Sequence, residues 1–364
     1  MRVYYVGSGL QGCYTVRCLL PLVENGWDGD QVSINLDAKT PEDKSKAAQN
    51  ADVVVFHRPE QTQKLELARM IKKMGKKIVF DNDDTYKDDG GVKFNEFMDK
   101  ERVEKGLDKL NKSIDTFIKE ADLVTCSTEF LAEEYRKINP NVVVLPNCID
   151  PFYFDEPIRN NNGKIRLGLV GSIGVTSDLW VAEPILRKYL NDDRVEIVLF
   201  SMPPKGHDKI TREIYSEEYK LLDEIIQANN VIWQPFVEMQ EYYDTLNNLA
   251  IDIMLIPRAD NYFNRCKSNI KFLESSMFEI PVIAQSFNDG KSPYEVNPED
   301  AKHMLLAKNK EDWIKNIEYL ISDKQKRLDM GKKAKEYVIN NYSIEKKGHL
   351  WKESYLKLYD KNKR

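Results

Sequence analysis

Short apolar runs punctuate the chain, and between them apolar positions recur at helical spacing. In the first half Val3–Val6, Val32–Leu36, Asp52–Phe56, Lys77–Phe80, Asp122–Cys126 and Val142–Leu145 read as buried strands. In the second half Ile165–Val170, Val195–Phe200, Val231–Trp233, Ile251–Ile256 and Pro281–Ala284 repeat the pattern. Helical periodicity is expected over about 13–24, 63–74, 129–138, 179–189 and 240–249, and from Lys310 to the end. Residues 85–115 are polar and acidic and predict a loop leading into a helix, while 160–163 and 204–220 read as polar connections. Strand and helix alternate in both halves. That predicts two parallel, doubly wound sheets facing each other across a cleft, with a hinge in the proline-bounded turn 146–151.

The stretch Phe263–Glu274 stands out because its charges share one spacing. Read as a helix, it places Lys267, Lys271 and Glu274 at i, i+4 and i+7, on one face. Ile270, Leu273 and Met277 form the neighbouring apolar stripe. Ammonium groups beside a helix N-terminus suit a diphosphate, because free backbone N–H groups and the helix dipole add to their charge. A carboxylate further along the same helix suits the vicinal hydroxyls of a ribose. A solvated face with an ordinary Lys–Glu pair would look the same in sequence.

Two other places carry candidate chemistry. Gly7-Ser-Gly9-Leu-Gln-Gly12 follows the first strand and opens a helix, and Asp37 closes the second strand, as in a dinucleotide-binding turn. This supports a rival reading, an NAD-dependent oxidoreductase, although any tight strand-to-helix turn needs glycine. His57-Arg58 and the acids Asp81, Asp83 and Asp84 end two other strands and border the same expected cleft. Asp81-Asn82-Asp83 also spells the D-x-D of metal-dependent transferases, and equally a turn that caps the next element.

Composition narrows these readings without choosing between them. With 41% hydrophobic and 31% charged residues, the 364-residue chain has the makeup of a soluble two-domain protein. No window approaches the ~20 apolar residues of a membrane span, and no signal peptide is expected at the N-terminus. Five cysteines without CxxC spacing and four scattered histidines predict reduced thiols, a cytoplasmic location and no metal site. Residues 324–364 carry 13 Lys and Arg against 5 Asp and Glu, a balance of +8 that leaves −13 of the total −5 elsewhere. A solvated helix face explains that balance, and peripheral membrane contact is compatible with it.

Taken in order, the segments resemble the retaining glycosyltransferases of the GT-B fold, the large family 4 (group 1). Asp122–Ser127 with Val144-Leu-Pro-Asn-Cys-Ile-Asp150 is similar to the last N-domain strands and linker of that family. Leu169-Val-Gly171-Ser172 is similar to the start of its C-terminal domain, 252–284 to its nucleotide-sugar site, and Leu328–Tyr342 to its terminal helices. The wording Lys267-Ser-Asn-x-x-Lys-x-Leu-Glu274 is similar to a subgroup with variable acceptors. The resemblance implies an α/β protein of two Rossmann-like domains, 1–150 and 151–342, with residues 343–364 returning to the first. It implies metal-independent transfer of a sugar from a nucleotide diphosphate, UDP above all, to a hydroxyl acceptor. That acceptor is a glycan, lipid-linked sugar, protein or modified nucleic-acid base, and no cofactor is needed.

For site residues it implies ribose contact by Glu274, and donor contacts by Asn269, Arg265, Gly171, Ser172, Gly9 and Gly12. Lys267 and Lys271 are expected on the diphosphate, with Arg258 in reserve, and Asp83 beside the reacting hydroxyls. The sequence departs from the pattern at Cys266, where a first glutamate is usual, at Ser172 and Thr176-Ser-Asp178, where Arg and Lys are usual, and at Cys148 and Glu279, where glycine is usual. A GT-B protein that binds nucleotide sugar without turnover is the third reading.

Overall fold

The computed structural model describes residues 1–7, 12–26, 48–59, 62–85, 100–171, 177–200 and 216–360. The expected strand Val32–Leu36 with Asp37, the residues Gly9 and Ser172, and the connection 204–215 lie outside them.

Five strands form the first sheet: β1 (Val3–Val6), β2 (Val53–His57), β3 (Lys77–Asn82), β4 (Leu123–Cys126) and β5 (Val142–Val144), in spatial order 1-2-3-4-5. Six form the second: β6 (Ile165–Val170), β7 (Val195–Phe200), β8 (Val231–Gln234), β9 (Ile253–Ile256), β10 (Val282–Gln285) and β11 (Leu305–Ala307), in order 11-10-9-6-7-8. Every recorded pairing is parallel. Helices cover both faces, so β1, β2, β4, β9 and β10 are buried at every position. That is why their sequences are continuous rather than alternating apolar runs.

The helices begin where the sequence supplies a cap. Thr128, Asn261, Asn297 and Asn309 each take an extended conformation and accept a backbone N–H of the first turn. The helix after β1 is continuous in three pieces, Gly12–Tyr14, Thr15–Leu19 and Leu20–Glu24, the middle one π-wound. The long helix Lys324–Tyr342 packs on helix Ile270–Met277 so closely that a Cβ at Gly331 would meet the Glu279 carbonyl oxygen at 1.9 Å.

The chain crosses between the sheets twice, at neighbouring points. Ile149 pairs with Ser343 in a parallel bridge, Ile149 N–H donates to the Tyr342 carbonyl at 3.0 Å, and Ile344 N–H donates to the Ile149 carbonyl at 2.7 Å. Beyond the crossing, Trp351, Tyr355 and Leu358 of helix His349–Asp360 enter one core with Val3, Tyr5, Cys18, Val53 and Val55. No helix among the described residues is long and apolar enough to cross a membrane.

Candidate active site

The C-terminal ends of β6 and β9 and the start of helix Ile270–Met277 meet at one place. Gly171 closes β6 with φ of +118°, a backbone that side-chain-bearing residues rarely adopt, and its Cα faces the Lys271 stem, 4.0 Å from where a Cβ would stand. Lys271 Nζ donates to the Tyr242 hydroxyl at 2.7 Å and pairs with Glu274 Oε2 at 3.0 Å. The Tyr242 hydroxyl in turn donates to Glu274 Oε2 at 3.2 Å. Tyr242 comes from helix Met239–Asn248, and its ring stacks on Phe200 at the end of β7, with centroids 5.4 Å apart. Burial first, and then the Glu274 carboxylate, hold the Tyr242 phenol well above its ordinary pKa, so it stays a neutral donor. Cation, carboxylate and hydroxyl thus form one group around Lys271, whose stem lies beside Gly171 at the carboxyl end of β6.

The expected helical face of three charges is corrected in one respect. The helix starts at Ile270, so Lys271 and Glu274 share it and Lys267 precedes it. Lys267 points the other way: its Nζ lies 2.5 Å from Asp84 Oδ2 of the first domain and 3.8 Å from the centre of the Phe263 ring. The preceding turn is docked against the first domain as a whole. Cys266 is buried in the core beneath β1–β4, Thr128 Oγ1 donates to its carbonyl at 3.4 Å, and Tyr262 lies against Phe130. Asn147 of the linker donates to Ser268 Oγ at 2.9 Å. Position 266 therefore faces a protein core rather than the cleft. Burial pushes the Cys266 thiol up to about 12.

Other expected residues have other partners. Arg265 pairs with Asp260 and Asp289 and covers the Phe287 ring, at the surface. Arg258 donates to Asp178 Oδ2 at 2.6 Å, and that buried carboxylate also accepts from Asn264 and the Ala259 N–H. Asn269 stands at the helix N-cap but gives its amide to Asp300. Gly12 faces the start of helix Met239–Asn248, where a Cβ would approach Met239 Sδ at 3.4 Å.

In the first domain the two carboxylates of the D-x-D wording part company. Asp81 is buried and accepts from Arg17 Nη2 at 2.6 Å, His57 Nδ1 at 2.9 Å and Thr125 Oγ1 at 2.6 Å. Asp83 accepts from Arg58 Nε at 2.7 Å, and Arg58 holds a left-handed backbone, φ +45°. Burial pushes the Asp83 carboxyl up, but the Arg58 guanidinium, helped by His57, pulls it below its ordinary value. Arg58, Asn82, Asp84 and Thr85 line a small cavity of about 80 Å³ beside the Lys267–Asp84 bridge. Among the described residues no group of three or more His, Cys, Asp or Glu is placed to hold a metal ion.

Sequence reasoning missed Tyr242, Asp300 and the Arg17–Asp81 pair. Only Arg17 carried a signal: a lone arginine inside the apolar run Val16–Leu20 has to find a buried partner.

Two Rossmann-like domains of parallel sheets, a double crossing and a site at strand carboxyl ends define the GT-B fold. Solved structures share it. Sucrose-phosphate synthase from Thermosynechococcus elongatus aligns over 99% of this chain and 100% of its own, with a TM-score of 0.62 and 13% identity. HepE from Anabaena, solved in complex with UDP and glucose, aligns over 97% of this chain and 98% of its own, at 0.63 and 11%. TarM aligns over 85% of this chain at 0.54 and 14%, and the matched part is 55% of TarM's own length. No protein-family model and no curated protein sequence matches the chain.

Proposed function

We propose that the protein is a glycosyltransferase that moves a sugar from a nucleoside-diphosphate donor, UDP-sugar above all, to a hydroxyl acceptor with retention of configuration. The observation that carries the reading is the Lys271–Tyr242–Glu274 group at the start of a helix that faces the Gly171 turn. Departure of a diphosphate leaves an oxocarbenium-like centre and a growing negative charge. Lys271 and the first N–H groups of the helix meet that charge, which is electrostatic catalysis without a metal. Among the described residues the bonds of Glu274 fall on Oε2, which leaves Oε1 for the ribose hydroxyls.

The leaving phosphate oxygen takes the acceptor proton, and Asp83, held ionised by Arg58, orients the hydroxyl that attacks. Lys267 enters this reading as an interdomain contact that sets how the cleft closes, rather than as a phosphate ligand. The UDP bound by HepE makes uridine the first base to test. The free thiols of the described cysteines suit a reducing, cytoplasmic setting.

The test is thermal stabilisation by UDP, GDP, ADP, TDP and NAD, each with and without Mg²⁺. One nucleoside diphosphate at about a hundred times its Kd raises stability by about 2.7 kcal/mol, unaffected by chelator. Lys271→Ala abolishes that shift and lowers transfer by about 10²-fold or more in a folded protein. A shift with NAD alone, or normal transfer by Lys271→Ala, overturns the assignment.

A further inference from the structure

Helix Ile270–Met277 starts without the cap its sequence offers. Asn269 occupies the N-cap position with φ −80° and ψ 16°, makes no capping bond, and turns its Nδ2 to Asp300 Oδ2 at 2.7 Å. Asp300 is 1% exposed. Its carboxylate accepts from Asn297 Nδ2 at 3.0 Å, from the Tyr337 hydroxyl at 2.7 Å, and from the Tyr342 hydroxyl at 3.0 and 2.9 Å. These donors are neutral, and burial holds the carboxyl above its ordinary pKa although Tyr337, Tyr342 and Asn269 pull the other way. A buried carboxylate held by neutral donors is costly, so what it joins matters. It joins the helix of Lys271 and Glu274 to Tyr342, whose own carbonyl accepts from Ile149 where the chain crosses between domains.

The consequence lies at the first turn of the helix. An asparagine at an N-cap normally swings to an extended backbone and places its Oδ1 on the second or third N–H of the helix. Here the backbone is not extended, the side chain is turned to Asp300, and among the described residues the N–H groups of Ile270 and Lys271 meet no protein acceptor. Those are the groups that a diphosphate beside Lys271 would use.

We propose that Asp300 is a positioning residue for the nucleotide: it holds the Asn269 amide away from the helix start, so that the ligand phosphate, and not the protein's own side chain, takes the first N–H groups. The inference rests on the donor-site reading above.

The test uses the full chain, UDP as probe, calorimetric Kd and the melting temperature. Serine and alanine at position 269 both lose the bond to Asp300, but only serine caps the helix. Asn269→Ser therefore binds UDP about fivefold more weakly, the equivalent of one cap of about 1 kcal/mol, while Asn269→Ala stays within about twofold of the parent. Asp300→Ala, which leaves no acceptor for the Asn269 amide, weakens binding by a similar factor, and adding Asn269→Ala restores it, which repair of mere instability would not do. Tyr337→Phe removes a donor from the same carboxylate far from the helix start; it lowers the melting temperature and leaves Kd unchanged.

Equal affinities for the serine and alanine variants, or no recovery in the double variant, overturn the role of Asp300. If the parent binds UDP and Lys271→Ala does not, the site reading survives that failure. If the parent binds no nucleoside diphosphate, both fall together.

Discussion

Tyr242 shows how one uncharged side chain sets the geometry of two charged ones. Its hydroxyl accepts from Lys271 and donates to Glu274, while its ring is fixed against Phe200. Without it the flexible lysine stem would lose a partner but keep its charge. Tyr242→Phe is therefore expected to keep the stack and the fold, and to weaken nucleoside-diphosphate binding by about fivefold, the size of one hydrogen bond of about 1 kcal/mol. Calorimetry beside a melting curve separates this from Lys271→Ala, where the charge itself is gone. At this scale the sequence was informative where charge and spacing coincide. Lys271 and Glu274 are three apart on a helix and do meet. Tyr242 is far away in sequence, on a helix whose polar and aromatic residues look alike until the fold places one of them between Lys271 and Glu274.

At the scale of elements, the strands buried on both faces were legible, because such a parallel strand has no polar side to show, while the short, half-buried β11 went unread. Helix starts were less so, since Lys267 reads as helical by spacing yet lies in a turn docked on the first domain. Tertiary contact decided that boundary, through Cys266 and Tyr262, and no periodicity records it. The contact between helices Ile270–Met277 and Lys324–Tyr342 has the same character. Glu279 takes the left-handed backbone that favours glycine, φ +54°, with its carboxylate paired to Arg159 at 2.5 Å. Its carbonyl then presses on Gly331. Gly331→Ala forces backbone apart from backbone rather than shifting a side chain, so about 3 kcal/mol of stability or more should be lost. Chemical denaturation measures it, and a loss under about 0.5 kcal/mol would show that the two helices separate easily.

At the scale of the whole molecule, the first domain is held by a charge network that reaches both crossings. Arg17, inside the π-wound turn, donates to Asp81, to the Leu145 carbonyl and to Asn147 at 3.4 Å, and lies over the Trp351 ring at 5.5 Å. Asn147 continues to Ser268, so one buried arginine links β3, the linker, the returning helix and the turn before the donor-site helix. Burial alone would push the Asp81 carboxyl up, but Arg17 and His57 overcome it and hold the group far below its ordinary 3.8.

The sign follows from that depression. Asp81 contributes stability in full above pH 3.8, and the contribution is lost as pH falls from there towards its folded value. Asp81→Asn leaves Arg17 without its counter-ion and should cost about 3–5 kcal/mol at neutral pH. The cost relative to the parent should then shrink by up to about 1.4 kcal/mol for each pH unit below 3.8, because the parent is losing what the variant no longer has. Urea unfolding of both proteins at neutral pH and at about pH 2.5 measures the difference. A gap that stays constant across that range would mean that Asp81 holds Arg17 by shape and hydrogen bonds rather than by charge.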